Sequence, residues 1–193
     1  MNVYDFDGTV RRGDTTRDFW KFEVRRHPKV LLDLPRFVWV YFLHLLGKRT
    51  LTEAKSAFFS FFRRIDAEKE AELFRQKNEG CLDTWYLAQT QKSDIIITAS
   101  PVWLVSVLCR GLGVTVLGTE VDKKTGILLS ENCRGEEKIR RLRAQCGEEA
   151  AAGIDCFYSD SHHDDPLARL AKQAFLVRKD CSRVPWEFRS REK

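Results

Sequence analysis

The sequence predicts an α/β protein, a parallel sheet carrying helices, with a long helical block inserted after the first strand. Three observations lead there. From residue 94 onward, short β-branched runs alternate with helical stretches, as in a parallel sheet. One further run, Val3-Tyr4, stands at the start of the chain. Between them, from Thr16 to Gln91, apolar residues recur at helical spacing and no strand pattern emerges.

Val3-Tyr4 leads into Asp5-Phe6-Asp7-Gly8-Thr9. Residues two apart in a strand face the same way, so Asp5 and Asp7 are expected side by side, with Phe6 turned into the core. Two anions that close repel unless one holds a proton or a cation lies between them. Gly8 allows a sharp exit from the strand and a close approach of backbone to ligand. A plain Asp-Gly surface turn is the competing reading.

In the helical block, Thr16 or Asp18 is expected to cap a first helix carrying Phe19, Trp20, Phe22 and Val24. Pro28 and Pro35 mark helix starts or breaks. The apolar run Phe37–Leu46 is too short for the roughly 20 residues of a membrane span. A buried helix is expected there, with an interfacial helix as the alternative. Thr50-Leu51-Thr52-Glu53 opens the next helix, which runs into the apolar stretch Ala57–Phe62. Asp66 begins a charged amphipathic helix, and Cys81, Leu82, Trp85, Tyr86 and Leu87 form a last helical face.

Asp94–Ala99 then reads as a buried parallel strand, and Ser100-Pro101 opens a helix to Cys109. Val114–Leu117 is a second such strand, and a small hairpin is expected around Lys123–Thr125. Glu136–Cys146 reads as a helix stopped by Gly147. Ile154–Tyr158 is a strand, Pro166–Gln173 a helix and Ala174–Val177 a final strand, while the polar tail after Asp180 is expected to add little. The expected division is a core of residues 1–13 and 92–193 and a helical domain of residues 14–91.

Composition sets the class. With 193 residues, 43 % of them hydrophobic and 32 % charged, the chain suits a soluble globular protein of one domain, or one domain with an insert. The net charge of +5 is spread among acids, so no nucleic-acid partner is expected, whereas an anionic small molecule suits it. The six cysteines show neither CxxC nor zinc-finger spacing, which fits free thiols in a reducing cytoplasm. Cys109 and Cys156 read as core residues. The chain opens on a strand, so no leader is expected and the expected location is cytoplasmic.

In open parallel sheets, sites form beyond the carboxyl ends of the strands. Here those ends carry Asp5 and Asp7, then Thr98-Ala99-Ser100, then Ser159-Asp160-Ser161-His162-His163-Asp164-Asp165, with Lys138 near a helix start. Clustered acids of this kind call for a divalent cation, and oxygen-only ligands favour Mg2+. Taken singly, Ser100 also reads as a helix N-cap, Lys138 as a solvated helix lysine, and Asp164 and Asp165 as helix N-terminal acids. His162 and His163 read as loop residues.

Together and in this order, Asp5-Phe6-Asp7-Gly8-Thr9, Thr98-Ala99-Ser100, Lys138 and Asp160–Asp164 resemble the four motifs of the haloacid dehalogenase superfamily phosphatases. The resemblance is to the phosphoserine-phosphatase-like branch, with a helical cap after the first strand, and it spans nearly the whole chain. It implies a Rossmann-like, three-layer α/β/α core with an all-helical cap. The implied activity is Mg2+-dependent hydrolysis of a small phosphorylated metabolite through an aspartyl-phosphate. Asp5 is implied as nucleophile and Asp7 as general acid and base. Asp5, the Asp7 carbonyl and Asp160 are implied around Mg2+, with Asp164 ligating directly or through a water. Gly8, Thr9, Asp14, Ala99, Ser100 and Lys138 are implied on the substrate. Asp14 stands where the family places a glutamate on the substrate amino group. Where the family places an arginine on the substrate carboxylate, this chain has Ala57 or Phe58, with Arg36, Arg63 and Arg64 as possible substitutes. The Phe- and Trp-rich cap suits a larger or more apolar leaving group. A lipid phosphate such as phosphatidylglycerophosphate is therefore an alternative substrate, with peripheral membrane contact. Two further readings are a phosphotransferase or mutase on the same core and a receiver-like phospho-accepting domain. Asp7 and the helical insert oppose the receiver.

Overall fold

The computed structural model describes residues 1–188. The sheet has six strands: β1 (Val3–Tyr4), β2 (Ile95–Pro101), β3 (Thr115–Thr119), β4 (Cys156–Ser159), β5 (Gln173–Val177) and β6 (Arg183–Pro185). Their order is β3-β2-β1-β4-β5-β6. The first five pair parallel, and β6 runs antiparallel on β5. β1 lies inside the sheet: Val3 pairs with Ile95 and Phe157, and Tyr4 with Ile96 and Tyr158. From β1 the chain builds outward to β3 on one side and later to β6 on the other. The reversal of strand order beside β1 opens a crevice at its carboxyl end.

Because side chains alternate along a strand, the sheet supports two cores. Val3, Ile95, Ile97 and Phe157 pack on one face with Ile139, Leu142 and Leu167. Tyr4, Ile96 and Tyr158 face the other side with Phe6, Leu104 and Val105. Tyr4 stacks on Tyr158 and Tyr158 on Phe175, at centroid distances of 4.9 and 5.2 Å. The covering helices are α6 (Val102–Leu108), α7 (Glu136–Cys146), α8 (Glu148–Ala152) and α9 (Asp165–Ala168). α7 matches its expected span, with Gly147 after it. α9 is shorter than the helix expected from Pro166 to Gln173, because β5 already begins at Gln173.

Between β1 and β2 lie α1 (Thr15–Arg26), α2 (Leu34–Leu45), α3 (Leu51–Phe59), α4 (Ala67–Lys77) and α5 (Thr84–Leu87), with 3-10 turns at Pro28–Asp33 and Ser60–Arg64. Thr50 and Glu53 form a capping box at the start of α3, as their spacing predicts. Phe19 of α1 sits among Phe61, Phe62, Phe74 and Trp103. Trp103 belongs to α6, so the helical block and the sheet share one continuous apolar core.

Four expectations need correction. α2 is not a buried helix: none of its residues is buried, and Trp39 and Leu45 are 62 and 66 % exposed. It packs along one side only, on α3 and the preceding 3-10 turn, where Phe37 meets Phe58. Its other faces, with Val38, Trp39, Phe42 and Leu45, are exposed. The cap of α1 is Asp14, which accepts a bond from the Arg17 amide at 2.8 Å, rather than Thr16 or Asp18. The tail after Asp180 adds β6 and Trp186, which is buried against Phe157 and donates Nε1–H to Asp165 at 2.7 Å. β6 is three residues long, Arg183-Val184-Pro185, too short for a period-two pattern to stand out. The tail's last residues, 189–193, lie outside the described residues. Finally, Cys156 is only half-buried, while Cys109 is in the core. The expected hairpin survives as a bridged turn, Val121 pairing with Leu128.

Candidate active site

β1 stops at Tyr4, and the chain turns at once. The amides of Thr9, Val10 and Arg11 all point at the Phe6 carbonyl. Gly8 takes φ +77°, a left-handed conformation that disfavours any side chain. A Cβ on Gly8 would also lie 2.1 Å from Asp160 Oδ2. The Asp160 carboxylate therefore lies directly over this glycine. The Asp160 amide donates to Thr9 Oγ1 at 2.9 Å, tying the first loop to the end of β4. Phe6 is fully buried, as the alternation predicts.

Asp5 is buried and meets Lys138, whose Nζ donates to Asp5 Oδ1 at 2.6 Å and to Asp164 Oδ2 at 2.7 Å. Lys138 sits in the first turn of α7 and is 2 % exposed, so it is no solvated helix lysine. Ser159 Oγ donates to the same Asp164 oxygen at 2.8 Å. Burial alone would strip Lys138 of its proton, but Asp5 and Asp164 outweigh it and hold its pKa above the ordinary lysine range.

Asp7 takes a different environment. Its Oδ1 accepts the Thr15 amide at 2.7 Å, from the first residue of α1. Its Oδ2 accepts the Ser100 hydroxyl at 2.5 Å, from the end of β2. Ser100 Oγ also lies 3.0 Å from Thr16 Oγ1 and makes no helix-capping bond. Asp14, besides capping α1, lines the same cleft as Asp7 and Ser100.

That cleft has a volume of about 360 Å³ and is walled by Phe37, Tyr41, Leu51, Phe58 and Phe59. A smaller one of about 180 Å³ holds Asp5, Lys138, Asp164, Arg134 and His163. Ala99, Leu51 and Lys55 line both. Lys55, on α3, went unnoticed in the sequence. Its Nζ donates to Asn132 Oδ1 at 2.6 Å and to the Ala99 carbonyl at 3.2 Å. Burial lowers its pKa to about 8. The signal was faint: Lys55 is the only charged residue between Glu53 and Arg63. Asn132 and Arg134 lie in a loop with no periodicity to flag them. Arg63 and Arg64, expected as possible anion ligands, instead both bind Asp33.

The structure thus brings together Asp5, Asp7, Gly8, Thr9, Ala99, Ser100, Lys138, Asp160 and Asp164, with Asp14 at the rim. Burial raises the pKa of Asp5, of Asp7 and of Asp160. Lys138 opposes this at Asp5, and the Ser100 and Thr15 bonds oppose it at Asp7. Four acids around one ammonium leave an excess of negative charge in a water-poor site. An oxygen-only donor set with that deficit fits a hard divalent cation.

The chain resembles known proteins over most of its length. The chain is 27 % identical over 187 residues to Protein CicA from two strains of Caulobacter vibrioides, covering 89 % of this chain and 82 % of the relative. A structure from Bordetella pertussis Tohama I, described as of unknown function, matches with TM-score 0.68 at 18 % identity, covering 90 % of this chain and 87 % of that one. A phosphoserine phosphohydrolase-like protein from Francisella tularensis matches with TM-score 0.53 at 13 % identity, covering 90 and 86 %. At these identities the two structures speak for the fold. The family described as haloacid dehalogenase-like hydrolase matches residues 3–169, and the chain belongs to that family.

Proposed function

We propose that the chain is a Mg2+-dependent phosphomonoesterase that works through a phospho-aspartate on Asp5. The observation that carries this reading is the contrast between two neighbouring aspartates. Asp5 is paired with a fixed ammonium at 2.6 Å, which suits a carboxylate that must stay ionised and attack. Asp7 is held by an amide and a hydroxyl and lacks a cationic partner among its bonds, which suits a group that carries and returns a proton. In the first step an Asp5 oxygen bonds to phosphorus, the ester bond breaks, and Asp7 gives its proton to the leaving oxygen. In the second, Asp7 takes a proton from water as that water attacks the phospho-aspartate, freeing phosphate and Asp5. Lys138 offsets charge on the transferring phosphoryl group, and Ser100 donates to one of its oxygens. Asp5, the Asp7 carbonyl and Asp160, with Asp164 behind them, would hold Mg2+, whose charge would further offset that of the phosphate.

The division into a core of residues 1–13 and 92–193 and a cap of residues 14–91 belongs to the same reading. The cap contributes the apolar wall, Phe37, Tyr41 and Phe58, together with Lys55. A small phosphorylated metabolite with an apolar leaving group fits this cleft. A specific observation also favours a lipid phosphate: Phe37 and Tyr41 line the cleft while Val38, Trp39 and Phe42 of the same helix are exposed. One helix thus carries both a wall of the cleft and an exposed apolar face, with Arg36, Lys48 and Arg49 near it in sequence, which suits an anionic bilayer. No helix among the described residues is long and apolar enough to cross a membrane. The receiver-like alternative finds no support in the family match.

Phosphate release from a panel of phosphorylated metabolites and lipid phosphates tests the proposal. Activity should vanish with EDTA, return with Mg2+, and be lost in Asp5→Asn with the fold intact. Turnover by Asp5→Asn at the wild-type rate would overturn it.

A further inference from the structure

The helical block holds a second group of ligand-type side chains, remote from the aspartates. Glu23 lies in the last turns of α1, His27 follows that helix directly, and Glu70 faces them from α4. One oxygen from each glutamate and a ring nitrogen of His27 lie within 4.8 Å of one another. His27 Nε2 is 3.2 Å from Glu70 Oε1 and 3.9 Å from Glu23 Oε2, and neither approach is aligned as a hydrogen bond. Glu23 is fully buried, and neither of its carboxylate oxygens has a hydrogen-bond partner among the described residues. A buried, unpartnered carboxylate is rare because it loses its hydration and receives nothing in return. Glu70 is met on one side by Arg26, whose Nε lies 2.7 Å from Oε2. Burial beside Glu70 raises the Glu23 pKa to about 8, so the two carboxylates are both ionised at neutral pH only if a further cation joins Arg26, and Nε2 lies beside the same oxygens.

We propose that Glu23, His27 and Glu70 form a binding site for a divalent cation of the Zn2+ type, which fastens the end of α1 to α4. One imidazole and two carboxylates suit a borderline ion, whereas the oxygen-only aspartate site suits Mg2+. His27 is 39 % exposed at its side chain, which leaves a path for the ion from solvent. The location gives the ion a structural role. α1 begins with the Thr15 amide on Asp7 and Thr16 against Ser100, and its 12 residues span about 18 Å. An ion at its far end would anchor the helix whose first turn positions Asp7.

The test uses the whole protein, stripped of metal and supplied with excess Mg2+ to occupy the aspartates. Zn2+ is then titrated by calorimetry, and Co2+ by its visible absorption. The wild type should bind one equivalent that Glu23→Gln and His27→Gln each weaken by about tenfold or more. Zn2+ should raise the unfolding temperature of the wild type and not of these variants. A wild type that binds no Zn2+ under these conditions would overturn the proposal, as would equal binding by His27→Gln. Either outcome would mean that Glu23 holds a proton and that the three side chains bind no ion. Should Glu23→Gln fail to fold, His27→Gln at the partly exposed position decides the matter alone.

Discussion

Replacing Lys138 by methionine removes one charge and keeps most of the side-chain volume. Two carboxylates then lose their partner, Asp5 at 2.6 Å and Asp164 at 2.7 Å. Their side chains are only 12 and 4 % exposed, so water cannot replace the ammonium. Breaking a buried pair from one side costs about 3–5 kcal/mol, and with two acids stranded the upper end, about 5 kcal/mol, is expected. For a chain of this size that corresponds to a fall of about 10–20 °C in the unfolding midpoint. The loss must also depend on pH. Burial already raises Asp5 from 3.8 to about 7 with the ammonium in place, and removing that charge raises it further. An acid whose folded pKa is raised binds its proton more tightly when folded, so stability is lost as pH rises through the folded pKa. The two folded proteins differ in bound protons only above about 7, so the gap between variant and wild type should widen as pH rises past 7 and be smallest in acid. Mg2+ should narrow it as well, by supplying charge at the same place. Thermal unfolding followed by circular dichroism, at mildly acidic and mildly alkaline pH and with and without Mg2+, measures all three effects. A variant within about 1 kcal/mol of wild type at mildly alkaline pH, or a deficit that does not change with pH, would refute the reasoning.

Three other changes are diagnostic. Gly8→Ala should cost about 1–2 kcal/mol from the left-handed backbone alone. Because the new Cβ would sit 2.1 Å from Asp160 Oδ2, it should also raise the Mg2+ concentration needed for half-maximal activity. Lys55 has a pKa of about 8, so its charge is present below that pH and lost above it. If it attracts the anionic substrate, KM should climb above pH 8 in the wild type, and Lys55→Arg should move that climb to higher pH. The double change Trp39→Glu and Phe42→Glu should abolish sedimentation with anionic vesicles while leaving hydrolysis of a small aryl phosphate within about twofold, since both side chains are exposed. Vesicle binding by the wild type no better than by this variant would remove the lipid reading.

By itself the sequence determined the features written in short, local patterns. The five parallel strands announced themselves as short apolar runs, α7 ended where Gly147 stopped it, and Thr50 with Glu53 declared the start of α3. Asp5, Asp7, Ser100, Lys138 and Asp160 stood out because each follows a strand or opens a helix, and chain geometry then carries all of them to one edge. Burial was a different matter, because it is a relation between elements and no single segment encodes it. The run Phe37–Leu46 has the composition of a core helix, yet among the described residues α2 packs chiefly on α3 and a 3-10 turn. Lys55 reads like any helix lysine until α3 is laid over Ala99 and Asn132. Glu23 and Glu70 read as ordinary polar-face acids, and only the packing of α1 against α4 turns them inward beside His27. Tertiary structure decided which charges lost their water, and that loss is what gives these side chains their chemistry.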